Sequence, residues 1–269
     1  MLNKILKIAS VSTLLMFSSV SNAGVIKVWG EERPDFYKTT VNDFYNGLGG
    51  HSSSIVTGTL NTIDLVGTDL LWATHPSDSY SALELTAMSN YLALGGRIAF
   101  MGEHNGWAPD ENARINEALN FLGSSISIHS SSLDSGFRSA SVDDGQILAH
   151  ELTAGVESYE YAMFAPLILG GNAEALMLGE ELLNGEESVM MAFENIGAGS
   201  IFLMTDQNVW DNSPNWAGTF DNGQLFANLV DADTGAPAPD GQIPEPGSIL
   251  LRATALVGLR RVTKIKQLF

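Results

Sequence analysis

The sequence predicts an α/β domain over residues 24–230, with an open, mainly parallel sheet that carries helices on both faces. Short apolar or β-branched runs alternate with longer segments of near-helical periodicity. Glycines at 47–50 and 95–96 close two of the helical segments, as glycines commonly do at helix ends. This β-α-β-α order is typical of parallel sheets, whose crossovers are right-handed.

Each element of the first half follows from its own residue pattern. Residues 25–29 and 53–58 are short apolar or β-branched runs, and 69–75 is a continuous apolar run of the kind found in strands buried on both faces. Proline favours the first position of a helix, and Pro34 and Pro109 each precede a helical segment. The predicted elements are strands at 25–29, 53–58, 69–75, 97–103 and 125–130, and helices at 34–47, 81–96 and 109–123.

The second half has a less regular pattern. Strand-like pieces at 150–161, 165–171 and 173–181 are separated by Gly-rich turns. Residues 188–206 predict a hairpin with its turn at 196–199. A last helix is predicted at 221–232, with Asp221 or Asn222 as its N-cap.

Charge is distributed unevenly along the 269 residues. Residues 24–243 hold six of the 13 basic residues and 30 of the 31 acidic ones, a formal charge of −24. Such a surface repels phosphate, so nucleic acid is not expected as a partner. The chain has no Cys, which excludes disulfides, thiolate metal sites and a cysteine nucleophile.

The first 23 residues have the order of a secretory signal peptide. Lys4 and Lys7 precede an apolar stretch at 8–20, and Ser21-Asn22-Ala23 forms a small-x-small cleavage signal. The alternative, a buried first helix, does not explain this order of charge, apolar segment and small residues. We therefore expect the export machinery to act on residues 1–23 and the mature chain to begin at Gly24.

The C-terminal 26 residues resemble a sorting signal. A flexible linker is predicted at 231–243, followed by Pro244-Glu245-Pro246, an apolar run at 248–259 and a basic cluster. These three parts resemble the PEP-CTERM signal of Gram-negative bacteria, which implies transient inner-membrane attachment, cleavage by an exosortase, and delivery to the cell surface or the extracellular matrix. Arg252 interrupts the apolar run. The alternative is a basic amphipathic helix lying on anionic lipid.

Several phrases of the body resemble the class I glutamine amidotransferase-like superfamily, which has a flavodoxin-like sheet. The phrases are GGRIAFMGEHNG, FENIGAGSIFLMTDQN and DNGQLFANL. Catalytic members place a nucleophile in a G-x-C-x-G elbow, where this chain has His104 between Gly102 and Gly106. It also has Asp206-x-Asn208 where a His-x-Glu pair is expected. The resemblance therefore implies the fold without amidotransferase activity.

The predicted ligand site lies at the carboxyl ends of the strands, where open α/β sheets bind ligands. Imidazole and carboxylate groups there suit metal binding or acid-base chemistry. No HExxH or comparable spacing supports a metal, and turn residues that hydrogen-bond local backbone explain the same pattern. The residues placed at this edge are Glu31, Glu32, His75, Glu103, His104, Asp206 and Asn208.

An oxygen-rich segment suggests calcium as an optional cofactor. Its spacing does not fit an EF-hand, because Trp210 and Asp211 fall where a ligand and the turn glycine are required. Asp and Asn are also common turn formers. The segment comprises Asp206, Asn208, Asp211, Asn212, Asn215, Asp221 and Asn222.

Three tryptophans in predicted loops suggest sugar binding. Trp107, Trp210 and Trp216 follow strands, and an exposed indole face can stack on a sugar ring. Trp29 and Trp72 lie in strands and are expected in the core.

These observations predict an exported, non-enzymatic protein that binds or organises an extracellular polymer such as polysaccharide. The expected ligand contacts are His75, Trp107, Asn208 and Trp210. The alternative is a secreted hydrolase or metal-dependent enzyme that uses His104, Glu103 and Asp206.

Overall fold

The computed structural model describes residues 24–30, 36–210 and 219–232. The helices are α1 (Phe36–Gly47), α2 (Ala82–Ala93), α3 (Pro109–Leu122) and α4 (Asn222–Asp231). The strands are β1 (Val25–Trp29), β2 (Ser52–Val56), β3 (Leu70–Ala73), β4 (Arg97–Met101), β5 (Ser127–Ile128), β6 (Arg138–Ser141), β7 (Ser158–Tyr161), β8 (Leu167–Ile168), β9 (Glu174–Leu178), β10 (Val189–Ile196) and β11 (Gly199–Met204).

The main sheet has nine strands, in the order β2-β1-β3-β4-β11-β10-β8-β5, and β9 also pairs with β10. The pairings from β2 to β11 are parallel, and those from β11 onward are antiparallel. Strands β6 and β7 form a separate two-stranded sheet. The predicted α/β class with a large, mainly parallel sheet is confirmed.

Helices cover both faces of the sheet, as the sequence predicts. On one face, α1 and α4 contribute Tyr45 and Phe226 to a core that includes Trp72 of β3. On the other face, α2 and α3 contribute Met88 and Leu119. Burial of these apolar side chains on two sides explains why the central strands are almost wholly apolar.

An aromatic cluster holds α1 and α4 against the sheet. The Tyr45 hydroxyl donates to the carbonyl of Phe226 at 2.9 Å and accepts from Trp72 Nε1 at 3.0 Å. Trp210 packs on Phe226 with ring centroids 4.2 Å apart, and on Trp72 edge-on at 5.6 Å. The cluster thus satisfies two buried polar groups while it packs four large rings.

Most predicted elements agree with the structure. Helix α2 begins after Ser81, whose side chain forms a capping box with Glu84. The predicted hairpin is present, with β10 ending at Ile196 and β11 beginning at Gly199. The fifth strand is much shorter than predicted, two residues instead of six, and β6 was not predicted.

The predicted N-cap residue of α4 does not cap the helix with its side chain. Asp221 occupies the predicted position, but its Oδ2 accepts from the main-chain N–H groups of Glu157 and Ser158, at 3.1 and 3.0 Å. The carboxylate therefore ties α4 to the start of β7.

Among the described residues, no helix combines the length and apolar character needed to cross a bilayer. The predicted signal peptide, most of the linker and the Pro244-Glu245-Pro246 motif lie outside the described residues.

Candidate functional site

The carboxyl ends of β4 and β11 bring two acidic side chains to one edge of the sheet. Met101 and Met204 are partners in the parallel register. Glu103 and Asp206 each follow two residues later, so both leave the sheet at the same level. The structure therefore brings together these two members of the predicted site.

Main-chain donors occupy all four oxygens of this carboxylate pair. Glu103 accepts from the N–H groups of His104 at 2.8 Å and Gln207 at 3.0 Å. Asp206 accepts from the N–H groups of Ala162 at 2.6 Å and Asn208 at 2.9 Å. Glu103 thereby joins the loops after β4 and β11, and Asp206 joins the loop after β11 to the residue that follows β7.

Burial disfavours the charged form of both acids. Glu103 is 1% exposed and Asp206 is 3% exposed. Burial, followed by the nearby charge of Asp206, raises the pKa of Glu103 well above its usual range. Burial raises the pKa of Asp206 from 3.8 to about 6, against the opposing effect of its N–H donors.

His104 lies beside the pair without completing a catalytic arrangement. Its Nε2 is 3.7 Å from Glu103 Oε1, and burial lowers the pKa of His104. Its Nδ1 is buried and accepts no hydrogen bond from the described residues. Among the hydrogen bonds of the described chain, none joins His104 to Asp206.

Asn112 holds the turn after β4, and sequence reasoning missed it. Its Oδ1 accepts from the N–H of Glu103 at 3.1 Å, and its Nδ2 donates to the carbonyl of Glu103 at 2.6 Å. A Cβ on Gly102 would lie 2.9 Å from Asn112 Oδ1 and 3.1 Å from Ile128 Cδ1, so the turn requires glycine. A lone Asn in the first turn of α3 carries no sequence signal that distinguishes it from a surface residue.

His75 packs against an aromatic ring of α1. It follows β3, is 4% exposed and stacks on Tyr37, with ring centroids 6.4 Å apart. Within the described part of the chain, no group of three or more His, Asp or Glu side chains is arranged to hold a metal ion. Glu31 and Glu32, also predicted at this edge, lie outside the described residues.

The two tryptophans assigned to ligand binding have opposite environments. Trp107 is 70% exposed, whereas Trp210 is fully buried in the aromatic cluster between α1 and α4. The expectation that Trp210 offers its face to a sugar is wrong, because a 3₁₀ turn at Gln207–Trp210 directs the ring into the core. Trp216 lies outside the described residues.

The described members of the oxygen-rich segment engage protein groups. The N–H of Asn208 donates to Asp206 Oδ1, and Asp221 Oδ2 accepts from the N–H groups of Glu157 and Ser158. Asn222 exchanges two hydrogen bonds with the main chain of Glu160, at 2.9 and 2.7 Å. These contacts are those of turn and clamp residues. Asp211, Asn212 and Asn215 lie outside the described residues.

The parallel part of the sheet, in the order β2-β1-β3-β4-β11, defines a doubly wound α/β protein with flavodoxin-like strand order. The edge at the carboxyl ends of its strands carries a buried acid pair and an exposed indole, at the level of the loops that follow the strands.

No protein-family model and no curated protein matches the chain, whereas several solved structures do. The N-terminal domain of mmIFT52 aligns over 77% of this chain and 94% of its own, with 14% identity and a TM-score of 0.54. A cytoplasmic protein of Salmonella typhimurium aligns over 76% of this chain and 97% of its own, with 11% identity and a TM-score of 0.54.

A ThuA-like protein from Parabacteroides merdae aligns over 83% of this chain and 94% of its own, with 13% identity and a TM-score of 0.49. Similarity at these identities concerns the fold alone. The TM-score of the ThuA-like protein is too low to support any argument.

Proposed function

We propose that this chain is an exported, surface-associated protein whose α/β domain binds an extracellular polysaccharide without transforming it. The observation that carries the proposal is the engagement of the Glu103 and Asp206 carboxylates by four main-chain N–H groups. A carboxylate held in this way is a structural clamp, because each of its oxygens already accepts a main-chain N–H and the side chain is almost fully buried. The sequence resemblance to amidotransferase-like proteins, in which His104 stands where catalytic members have their nucleophile, supports the absence of that reaction.

The alternative, a hydrolase or metal-dependent enzyme built on His104, Glu103 and Asp206, has weaker support. A general base must reach the proton that it removes, and both acids are enclosed. His104 is the most accessible of the three, with 22% of its side chain exposed, and its imidazole Nε2 lies 3.7 Å from Glu103 Oε1.

Trp107 is the side chain best placed to contact a ligand. It is 70% exposed in the loop between β4 and α3. The preceding residue, Gly106, donates its N–H to Ser132 Oγ at 2.9 Å, and the N–H of Trp107 donates to the carbonyl of His104 at 3.0 Å. The main chain beneath the indole is therefore held in place, which reduces the ordering cost of binding.

A Trp107→Ala variant should lose about 2 kcal/mol of polysaccharide binding, roughly thirtyfold in affinity, as expected for an aromatic hot spot. Affinity gel electrophoresis in gels cast with neutral matrix polysaccharides measures this retention. Phe121→Ala is the matched control, because Phe121 is 52% exposed near the other end of α3. Equal retardation of the two variants and the parent would contradict the role of Trp107.

Export and sorting are proposed from the two ends of the sequence. Residues 1–23 resemble a signal peptide, and Pro244-Glu245-Pro246 begins a tail with the parts of a PEP-CTERM signal. The partners are then the export machinery and an exosortase. The charge of −24 on residues 24–243 favours neutral or basic ligands over nucleic acid.

Replacing Pro244 and Glu245 together with Ala should abolish tail removal. In a host with an exosortase system, we expect the parent chain to lose both ends and to reach the cell surface or the medium. The double variant should keep residues 244–269 and remain in the membrane fraction. Intact mass and fractionation distinguish these results. An intact tail in both proteins, with the same membrane association, would refute the sorting proposal and favour a lipid-binding helix.

A further inference from the structure

The first residue after the predicted cleavage site is already part of the folded sheet. Gly24 is buried, and its carbonyl accepts from the N–H of Ser52 at 2.9 Å. The next residue, Val25, is the first residue of β1 and is in register with Ser52. No spacer therefore separates the predicted Ala23–Gly24 cleavage site from the first strand.

The nitrogen of Gly24 faces a buried imidazole. It donates to His51 Nδ1 at 3.2 Å, and the His51 side chain is 3% exposed. The other ring nitrogen, Nε2, is 3.5 Å from Asp231 Oδ1. One residue further along, the N–H of Val25 donates to Asp69 Oδ2 at 2.7 Å.

The space around Gly24 admits no side chain. A Cβ at this position would lie 2.2 Å from Val230 Cγ1 and 2.8 Å from His51 Nδ1. The start of β1 is thus enclosed by the end of α4 on one side and by His51 on the other. A glycine is required here by close approach, since even one methyl group would overlap its neighbours.

We propose that this enclosure is a binding site for the chain's own α-amino group, and that signal cleavage must therefore precede folding. The proposal rests on the export proposal above. Hydrolysis by a signal peptidase adds water across the Ala23–Gly24 bond, so that Ala23 leaves as a carboxylate and Gly24 keeps the amine. The amine takes up a proton and retains His51 Nδ1 as acceptor, while Asp231 stays against the other nitrogen of the same ring and Asp69 against the N–H of Val25.

The order of events follows from access to the bond. A protease must bind residues on both sides of the bond that it cuts, and cleavage of a folded segment tracks the population of its open form. Gly24 is hydrogen-bonded to residues at the start of β2, and β1 itself pairs with both β2 and β3. Opening this central strand requires disruption of the sheet, so the folded precursor should be a poor substrate.

The test compares cleavage of the full-length precursor in two states. Purified signal peptidase in mild detergent is added either to the folded precursor or to precursor diluted from urea at the moment of mixing. We expect the folded form to lose residues 1–23 at least a hundredfold more slowly. A control precursor with eight Gly/Ser residues inserted between Ala23 and Gly24 should be cut at similar rates in both states. Intact mass locates the cut.

The outcomes separate the two proposals. Rapid cleavage of the folded parent, at the rate of the spacer variant, would overturn the inferred order and leave the export proposal standing. Failure of the freshly diluted chain to be cut at Ala23–Gly24, with a known substrate cut in parallel, would overturn both.

A second measurement addresses the amino-group site directly. In the mature chain, an amine-acylating reagent should modify Gly24 at least tenfold more slowly than in the chain unfolded in urea. The His51→Ala variant should recover much of the lost reactivity. If removal of the buried His51 ring prevents folding, Asp231→Asn replaces it as the test variant, because the Asp231 side chain is 47% exposed. Equal reactivity of parent, variants and unfolded chain would refute the site.

Discussion

Between pH 4 and pH 7, the free energy of unfolding of Asp206→Asn should fall much less than that of the parent chain. The folded-state pKa of Asp206 is about 6, above its usual 3.8. Between these values the folded state binds more protons than the unfolded state, so the free energy of unfolding falls as pH rises. A pKa shift of this size corresponds to about 3 kcal/mol of pH-dependent stability. Asn has no ionisable group, so the variant lacks this contribution.

The variant also loses an acceptor at every pH. Asn offers one oxygen where Asp206 uses two, so one of the N–H groups of Ala162 and Asn208 is left without its partner. We expect a cost of about 1–3 kcal/mol at pH 4, which shrinks or reverses at pH 7. Urea unfolding at both values measures the difference.

Asp78→Asn is the control for this experiment, because it removes the same charge from an exposed position. Its stability should follow that of the parent at both pH values. Parallel pH profiles for the parent and Asp206→Asn would show that Asp206 has no raised pKa in the folded protein.

Trp210→Ala should destabilise the fold by about 3–5 kcal/mol, the usual range for truncation of a buried large aromatic side chain. Trp210 is fully buried and contacts Phe44, Trp72 and Phe226. Its removal leaves a cavity between α1, α4 and the sheet. Thermal unfolding should show a decrease in melting temperature of roughly 10 °C or more for a domain of this size.

Trp107→Ala provides the comparison, because the same substitution at a 70% exposed side chain should change stability by less than about 0.5 kcal/mol. A loss of stability in Trp210→Ala and a loss of polysaccharide retention in Trp107→Ala would distinguish the core tryptophan from the ligand contact. Equal melting temperatures for the two variants would contradict the buried position of Trp210.

Local periodicity was sufficient to predict the first half of the fold. The apolar run at 69–75 contains β3, and Pro109 and Gly123 bound α3. The second half was less predictable, since β5 and β8 have two residues each and cannot display a period. Strand β6, with the sequence RSAS, lacks the apolar alternation that marks a strand.

The placement of Glu103 and Asp206 at one edge was predictable from the sequence, but their hydrogen-bond partners were not. Strand ends placed Glu103 and Asp206 at one edge of the sheet, and the register of β4 with β11 brings them together. Their hydrogen-bond partners include Gln207, 104 residues from Glu103, and Ala162, 44 residues from Asp206. Such distant donors have no signature in the residues around either acid.

The α/β class, the acidic character of the body and the export and sorting hypotheses all follow from the amino-acid order, because composition and short-range pattern encode these properties. Three further findings required the folded chain: each oxygen of the acid pair accepts a main-chain N–H, Trp210 belongs to the core, and Gly24 is enclosed by His51 and Val230. Burial and hydrogen-bond satisfaction depend on which distant segments meet, and that depends on the packing of the whole chain.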